Sequence, residues 1–385
     1  MSNHLLTTCC AEATVASHTR DVRLQGTLLK GRQSDLPTMI WLPELTEPAA
    51  NFKNFFSERR NKVLDVRNVW LLDYRNQGNS DHHSSYDMDD MSADIMRFMD
   101  EKKITMATIG GHGFGAKVAA ATAINNMNRF TGVIQYEGGP LNHRYYEAYQ
   151  ELESYVDLAT KMDLASMENA AALRHLDKSI SCAKWASIFK QNLNVDGSTP
   201  SWKINMAGLA ANMRKFNPDV AGWSESYGLW PGQTLAIFAA HSRWVHLATN
   251  TLPFYNVFPR LEGQFPGLIN THAASLEGPM THWMHEDPKG DSWKLSQQIH
   301  RFLRWHDGAN VLLADKSEAG WYFLPDRGVD YNTGTRHGEY NPEHVHHNYL
   351  YTDQYELSRE ARGKEGASPG QFLPVGQFSP EDKQF

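Results

Sequence analysis

A chain of 385 residues is long enough for one large domain with an appendage, or for two ordinary domains. Its 41% hydrophobic and 11% aromatic content supports a sizeable core, and its net charge of −7 at pH 7 gives no electrostatic footprint for nucleic acid or an anionic membrane surface. Three cysteines (Cys9, Cys10 and Cys182) with no CxxC spacing exclude a disulfide framework and a zinc knuckle, so a reducing compartment is expected.

No apolar run approaches the roughly 20 residues that span a bilayer. The first twenty residues carry one Arg and one acid, and lack the apolar centre of a secretory signal. They read as an extension preceding the folded body. Strands are predicted at Val22 to Leu29 and Met39 to Leu42, then a helix from Asn51 to Arg60. Asn68 to Leu72 reads as strand, and Met88 to Lys102 as a helix with Met91, Ile95, Phe98 and Met99 on one face. A strand follows from Met106 to Gly110, an Ala-rich helix from Lys117 to Asn126, and a strand from Phe130 to Gln135. Residues from about 141 to 228 are helical in pattern with few strand signals. Thr234 to Ala239 supplies a late strand, and Ser292 to Trp305 a terminal helix. This alternation predicts βαβ units in an α/β fold with a mostly parallel, twisted sheet and helices on both faces.

From Gly308 the composition shifts to Gly, Pro, Asn, His and Tyr without a sustained period. Seven Lys/Arg stand against twelve Asp/Glu, a net charge of −5 for this segment. Such a stretch cannot bury a core of its own, and its scattered aromatics suggest an arm, residues 308–385, that lies across another protein's surface. His344, His346 and His347 in the arm are read as exposed histidines rather than metal ligands, because no second cluster accompanies them.

The chemistry-bearing motif is Gly111-His112-Gly113-Phe114-Gly115, placed between a strand and a helix. That is the setting of the G-x-S-x-G nucleophile elbow, where a sharp turn lifts a serine hydroxyl above the sheet. Here Gly113 stands at the central position and offers no nucleophile. The nucleophile position is strained, and glycine tolerates such a backbone at little steric cost. The spacing is neither GxGxxG nor GxxxxGK[ST], which argues against a nucleotide site.

Around this motif the chain resembles the mitochondrial esterase family of α/β-hydrolase-domain-containing protein 11. Met39-Ile40-Trp41-Leu42-Pro43-Glu44-Leu45 through Asn51-Phe52 is similar to that family's first loop, a hydrophobic strand followed by His-Gly-Leu and Asn-Phe. Asp73-Tyr74-Arg75-Asn76-Gln77-Gly78-Asn79-Ser80 resembles its Asp-x-Arg-Asn-His-Gly-x-Ser loop, and Gly111 to Lys117 its Gly-His-Ser-Met-Gly-Gly-Lys elbow. Glu137-Gly138-Gly139-Pro140 sits where the family has Asp-Ile-Ser-Pro. Asn192-Leu193, Asp196-Gly197 and Trp202-Lys203-Ile204-Asn205 resemble its cap segment, and Thr281-His282-Trp283-Met284-His285 its Gly-His-Trp-Val-His segment. The similarity runs in order through roughly residues 20–305.

The resemblance implies an α/β-hydrolase domain over residues 21–307 with a helical cap at about 141–228, after an N-terminal extension at 1–20. It implies triad positions at Gly113, Glu137 and His282, and an oxyanion loop at Pro43, Glu44 and Leu45 working with the Phe114 N–H. Proline removes one N–H. Two like charges ~4 Å apart repel by about 4 kcal/mol at an effective dielectric of 20, so Glu44 is expected to spoil the hole for an anionic transition state. Ser80 and Ser242 lie on loops near the same edge as substitute nucleophiles, though not on an elbow.

The expectation is a pseudoenzyme without cofactor or metal, serving as an accessory subunit of a large assembly. By resemblance that assembly is mitochondrial, a respiratory or ATP-synthase complex in the matrix or on the matrix side of the inner membrane, with a cytoplasmic location as the alternative. Other protein subunits are the expected partners, contacted partly through the arm, with no nucleic acid and with membrane contact only through partners. The competing expectations are residual esterase or thioesterase activity through water activated by His282, and an acyl-ligand sensor.

Overall fold

A computed structural model describes residues 22–33, 35–144, 146–214, 222–223, 228–230, 232–239, 242–245, 257–258, 282–286 and 291–314. The N-terminal extension and the arm beyond residue 314 lie outside these residues. Six strands form the main sheet: β1 (Gln25–Leu29), β2 (Thr38–Leu42), β3 (Asn68–Asp73), β4 (Ala107–His112), β5 (Phe130–Tyr136) and, after two short strands described below, β8 (Gln233–Ile237). Their order across the sheet is β1-β3-β2-β4-β5-β8. Only β1 runs antiparallel to its neighbour; the other pairings are parallel. Strands β2, β4 and β5 are buried on both faces, which is why they read as continuous apolar runs rather than alternating ones.

Helix α1 (Phe52–Ser57) follows a 3-10 turn at Ala49–Asn51, and α2 (Met88–Glu101) connects β3 to β4. Asp87 caps α2, its carboxylate accepting the N–H of Asp89 at 2.9 Å. Helix α3 (Phe114–Asn125) is buried along nearly its whole length, and its Ala-rich sequence lets it pack closely on the sheet. It begins at Phe114, three residues before the position expected from sequence. Phe114, Gly115 and Ala116 thus belong to the first turn of the helix itself.

The helical stretch after β5 contains α4 (Glu147–Thr160), α5 (Asn169–Ser179), α6 (Ala183–Gln191) and α7 (Met206–Arg214). Between α6 and α7, β6 (Leu193–Asn194) and β7 (Ser201–Trp202) form a small antiparallel pair, too short to leave a sequence signal. The last helix, α8 (Asp291–Ala314), continues past the expected end at Trp305 and through Gly308. One interior glycine costs a helix about 1 kcal/mol relative to alanine, and the residues after it (Ala309, Val311, Leu312, Leu313, Ala314) carry no further breaker. No described helix is long and apolar enough to cross a membrane.

The chain switches direction across the sheet at β2, whose neighbours β3 and β4 lie on opposite sides. Ligand sites of open α/β sheets form beyond the carboxyl ends of strands at such a point. Two glycines set the close approach there. A Cβ at Gly111 would meet the Gly115 carbonyl group, and one at Gly115 would overlap the Leu42 and Pro43 carbonyl oxygens. The start of α3 is thereby pressed against both β4 and the loop after β2. Gly115→Ala is expected to lower the denaturation midpoint in urea by the equivalent of about 1–3 kcal/mol, as overpacking does, with no comparable loss for Gly197→Ala, where a Cβ meets nothing closer than 3.8 Å.

Candidate functional site

Four chain segments converge beyond the carboxyl ends of β2, β4 and β5. The loop after β2 carries Glu44 and Glu47, the elbow after β4 carries His112 to Phe114, β5 ends at Glu137, and the segment 282–286 carries His282 and His285. Gly113 has φ +52° and ψ −114°, a conformation that disfavours any side chain, and it is held by its N–H donating to the Tyr136 carbonyl at 2.8 Å. Strand, strained turn and helix therefore form a nucleophile-elbow backbone with no side chain at its apex.

The space above Gly113 is filled by another residue. A Cβ built at position 113 would overlap the Glu44 carboxylate. Oε1 of Glu44 accepts the N–H of Phe114 at 3.0 Å and of Leu45 at 2.6 Å, and Oε2 lies 3.0 Å from His282 Nε2. The sequence had suggested a degraded oxyanion loop. Instead the two N–H groups that such a hole requires are both present and convergent, because neither comes from Pro43, and a carboxylate oxygen of the protein already occupies the point on which they converge.

His282 completes a chain of charge. Its Nδ1 lies 3.1 Å from Glu137 Oε2, so the ring is clasped between two buried carboxylates. Burial opposes charge on this ring, but the hydrogen bonds to Glu137 and then to Glu44 outweigh it and push the pKa up to about 9. His282 is therefore an imidazolium at neutral pH, with both N–H groups committed. Glu137, itself at φ +52°, is fixed by the Ala239 N–H and by the Ser242 hydroxyl, which donates to Oε2 at 2.6 Å. The structure thus brings Gly113, Glu137, His282, Glu44, Leu45 and Phe114 together, while Pro43 contributes only close backbone packing against Gly115. Ser242 supports the acid rather than facing a base. Ser80 donates to the Asp73 carbonyl at 2.5 Å and accepts the Gln25 N–H at 2.8 Å, which ties β1 to the loop after β3.

A second buried layer lies behind the first and was not anticipated. His112 presents Nε2 to the His282 carbonyl at 2.7 Å and Nδ1 to Glu47 Oε2 at 3.1 Å. Both partners are acceptors, and burial, with the nearby His282 charge, holds the His112 pKa below its usual value. Burial alone would raise the Glu47 pKa, but the hydrogen bonds from His112 and His285 hold it well below the usual carboxylate range. Tyr136 donates to the His282 carbonyl at 3.0 Å, and the His285 ring stacks on Phe52 with centroids 4.1 Å apart. The only sequence hints of this layer were the spacings Glu44-x-x-Glu47 and His282-x-x-His285, neither of which points to a site alone.

The void left at the elbow is small. A cavity of about 10 Å³ lined by Leu45, Phe114, His143, Tyr149, Leu152 and Trp244, with Glu44, Gly113 and Glu137 also at its wall, is the space of roughly one water molecule.

The comparisons with known proteins agree with this architecture. Residues 48–158 match the family described as the alpha/beta hydrolase fold. A probable alcohol acetyltransferase of Saccharomyces cerevisiae is 32% identical over 264 residues, which cover 64% of this chain and 71% of the relative. The chain belongs to the α/β-hydrolase fold family. The sn-1-specific diacylglycerol lipase ABHD11 of Xenopus tropicalis is 24% identical over 296 residues, covering 74% of this chain and 84% of that protein. Among solved structures, a marine microorganism esterase superposes with a TM-score of 0.51 at 17% identity, over 62% of this chain and 88% of the esterase, a likeness of fold.

The charge state of His282 makes stability pH-dependent. With a folded pKa near 9 against 6.5, its contribution is complete below about pH 6.5 and is lost as pH rises through 9. A shift of this size corresponds to on the order of 3 kcal/mol. Denaturant midpoints measured from pH 6.5 to 9.5 should fall by this order in the wild type, and His282→Gln should be less stable overall but markedly flatter across that window.

Proposed function

We propose that this α/β-hydrolase-fold protein is catalytically silent and serves as a structural or accessory subunit of a larger protein assembly. The observation that carries the first part is the Glu44 carboxylate, seated on the Phe114 and Leu45 N–H groups and above Gly113. Hydrolysis at an elbow needs a nucleophile, a neutral base to deprotonate it, and an empty pair of donors for the developing oxyanion. Here the apex has no side chain, the histidine at the base position is already protonated, and the donors are taken. Glu44 is itself a poor substitute nucleophile, because the same two N–H groups stabilise its charge.

Residual hydrolysis through water would need a neutral His282, and an acyl-ligand sensor would need an open acyl pocket. The cation between Glu44 and Glu137 and the water-sized cavity support neither as well. A substituted elbow in which Glu44 replaced a permissive residue while glycine replaced the serine accounts for both changes at once, since the two side chains compete for one volume. The assembly role rests on the acidic, aromatic segment after α8. A mitochondrial address, in a respiratory or ATP-synthase complex, extends the likeness to the family of esterases named above.

Two measurements test this. Wild-type protein should hydrolyse p-nitrophenyl acetate no faster than its His282→Ala variant; wild-type activity that disappears in His282→Ala would overturn the silent assignment. Gly113→Ser alone should gain nothing, because Glu44 blocks the side chain, whereas Glu44→Gly with Gly113→Ser should gain a rate about 10²-fold or more above the parent, the lower end of what a positioned base contributes. For the assembly role, a chain truncated after Ala314 should no longer co-migrate with the native complex, and unchanged co-migration would exclude the arm as its contact.

A further inference from the structure

Exposed apolar side chains gather at the edge of the sheet opposite the buried centre. Met106, Met127 and Leu229 are 51%, 46% and 54% exposed, and they are three of the five large hydrophobic side chains exposed among the described residues. Met106 immediately precedes β4, Met127 lies in the turn that enters β5, and Leu229 stands four residues before β8. These strands are neighbours, so the three side chains sit along the amino ends of one side of the sheet. A Cβ at Gly228 would lie 3.9 Å from Ile124, near the end of α3, and Met127 follows that helix by two residues. Leu229 and Met127 therefore flank the same helix end. Single exposed apolar residues are ordinary, but a group of them on one edge marks an interaction surface.

The turns at this edge are basic. Residues 30–37, 58–67, 102–106 and 126–129, which lead into β2, β3, β4 and β5, hold nine Lys/Arg and three Asp/Glu, although residues 1–307 as a whole are net −2. Arg32 and Lys62 share Asp65, and Arg129 pairs with Asp100 of α2, while Lys103 is exposed three residues before Met106. An acidic, aromatic segment complements such a rim, and α8 delivers one to it. This helix starts just after the segment 282–286, beyond the carboxyl ends of the strands, packs on β5 and β8, and reaches the 3-10 turn Val63–Asp65 ahead of β3. His300 is already within electrostatic reach of Asp65 and Lys62. Residues 301 to 314 carry the helix roughly 20 Å further, at about 1.5 Å per residue.

The sequence that follows contains the apolar run Trp321-Tyr322-Phe323-Leu324, within a stretch (residues 315–330) of four Asp/Glu and two Lys/Arg. The seven residues from 315 to 321 span up to about 24 Å when extended, enough to return from the helix end to the rim. We propose that Trp321 to Leu324 fold back onto Met106, Met127 and Leu229, with the acids around them set against the basic turns. The tether gives the segment an effective concentration on the order of millimolar at the rim, which favours it over a second copy of the chain. This anchors the arm on its own body and leaves residues 331–385 to face partners. The inference goes beyond the assembly role and is tested on the isolated full chain, so its failure is distinguishable from failure of the co-migration test.

In a full chain with Cys9, Cys10 and Cys182 changed to Ser, Met127→Cys together with Phe323→Cys should form an intramolecular disulfide under mild oxidation. It should form several-fold faster than in Val195→Cys with Phe323→Cys, where Val195 is also exposed but lies in the loop joining β6 and β7. Equal rates in the two pairs, or links formed only between chains, overturn the proposal. A second measurement needs no added cysteine, because peroxide oxidises methionines according to their exposure. Trp321→Ser with Phe323→Ser should raise the oxidation rates of Met106 and Met127 several-fold and leave the buried Met213 unchanged. Unchanged rates at Met106 and Met127 overturn the proposal as well.

Discussion

The carboxylate of Glu44 accepts two backbone N–H groups and the imidazolium of His282, and the rest of the site is arranged around that contact. A buried carboxylate is costly unless each oxygen finds donors. Here the donors are those that a hydrolase of this fold keeps for a transient oxyanion, aligned by the elbow and by the loop after β2. Their partial positive charge is permanent, so a fixed anion satisfies them continuously. The consequence passes along the chain: a fixed anion at the hole raises the His282 pKa, and Glu137 on the other side of the ring raises it further.

The same contact explains why the elbow bears glycine at its apex. A side chain at 113 and a carboxylate at 44 exclude each other sterically, and Gly113 sits at a positive φ that only glycine adopts without strain. The result is an ion-paired centre buried at the sheet edge. Removing one member of such a centre would leave an uncompensated buried charge, which typically costs about 3–5 kcal/mol. The residues gathered beyond the strand ends are thereby part of the core.

The sheet was legible because β2, β3, β4 and β5 are apolar runs separated by helical periods, and parallel strands buried on both faces produce that pattern. The gathering of Gly113, Glu137 and His282 was legible through the resemblance, since each lies at a fixed place in a motif. The state of Glu44 was not. Sequence supplies its charge and a missing loop glycine, from which repulsion follows; only geometry shows that the carboxylate turns inward onto the N–H groups it was expected to spoil. The Glu47, His112 and His285 layer was invisible for a different reason. It joins residues up to 238 positions apart (His285 and Glu47), and no spacing rule relates them. Helix α8 runs past Trp305 into the segment where the composition shifts, because one interior glycine does not stop a helix.

The most direct measurement of the central claim is the protonation of His282, read by 15N NMR of imidazole-labelled protein between pH 7 and 8. An imidazolium with two protected N–H protons, assigned by their loss in His282→Gln, is the predicted result. A neutral ring with one free nitrogen at pH 7 would show that Glu44 does not hold the hole closed and would contradict the account.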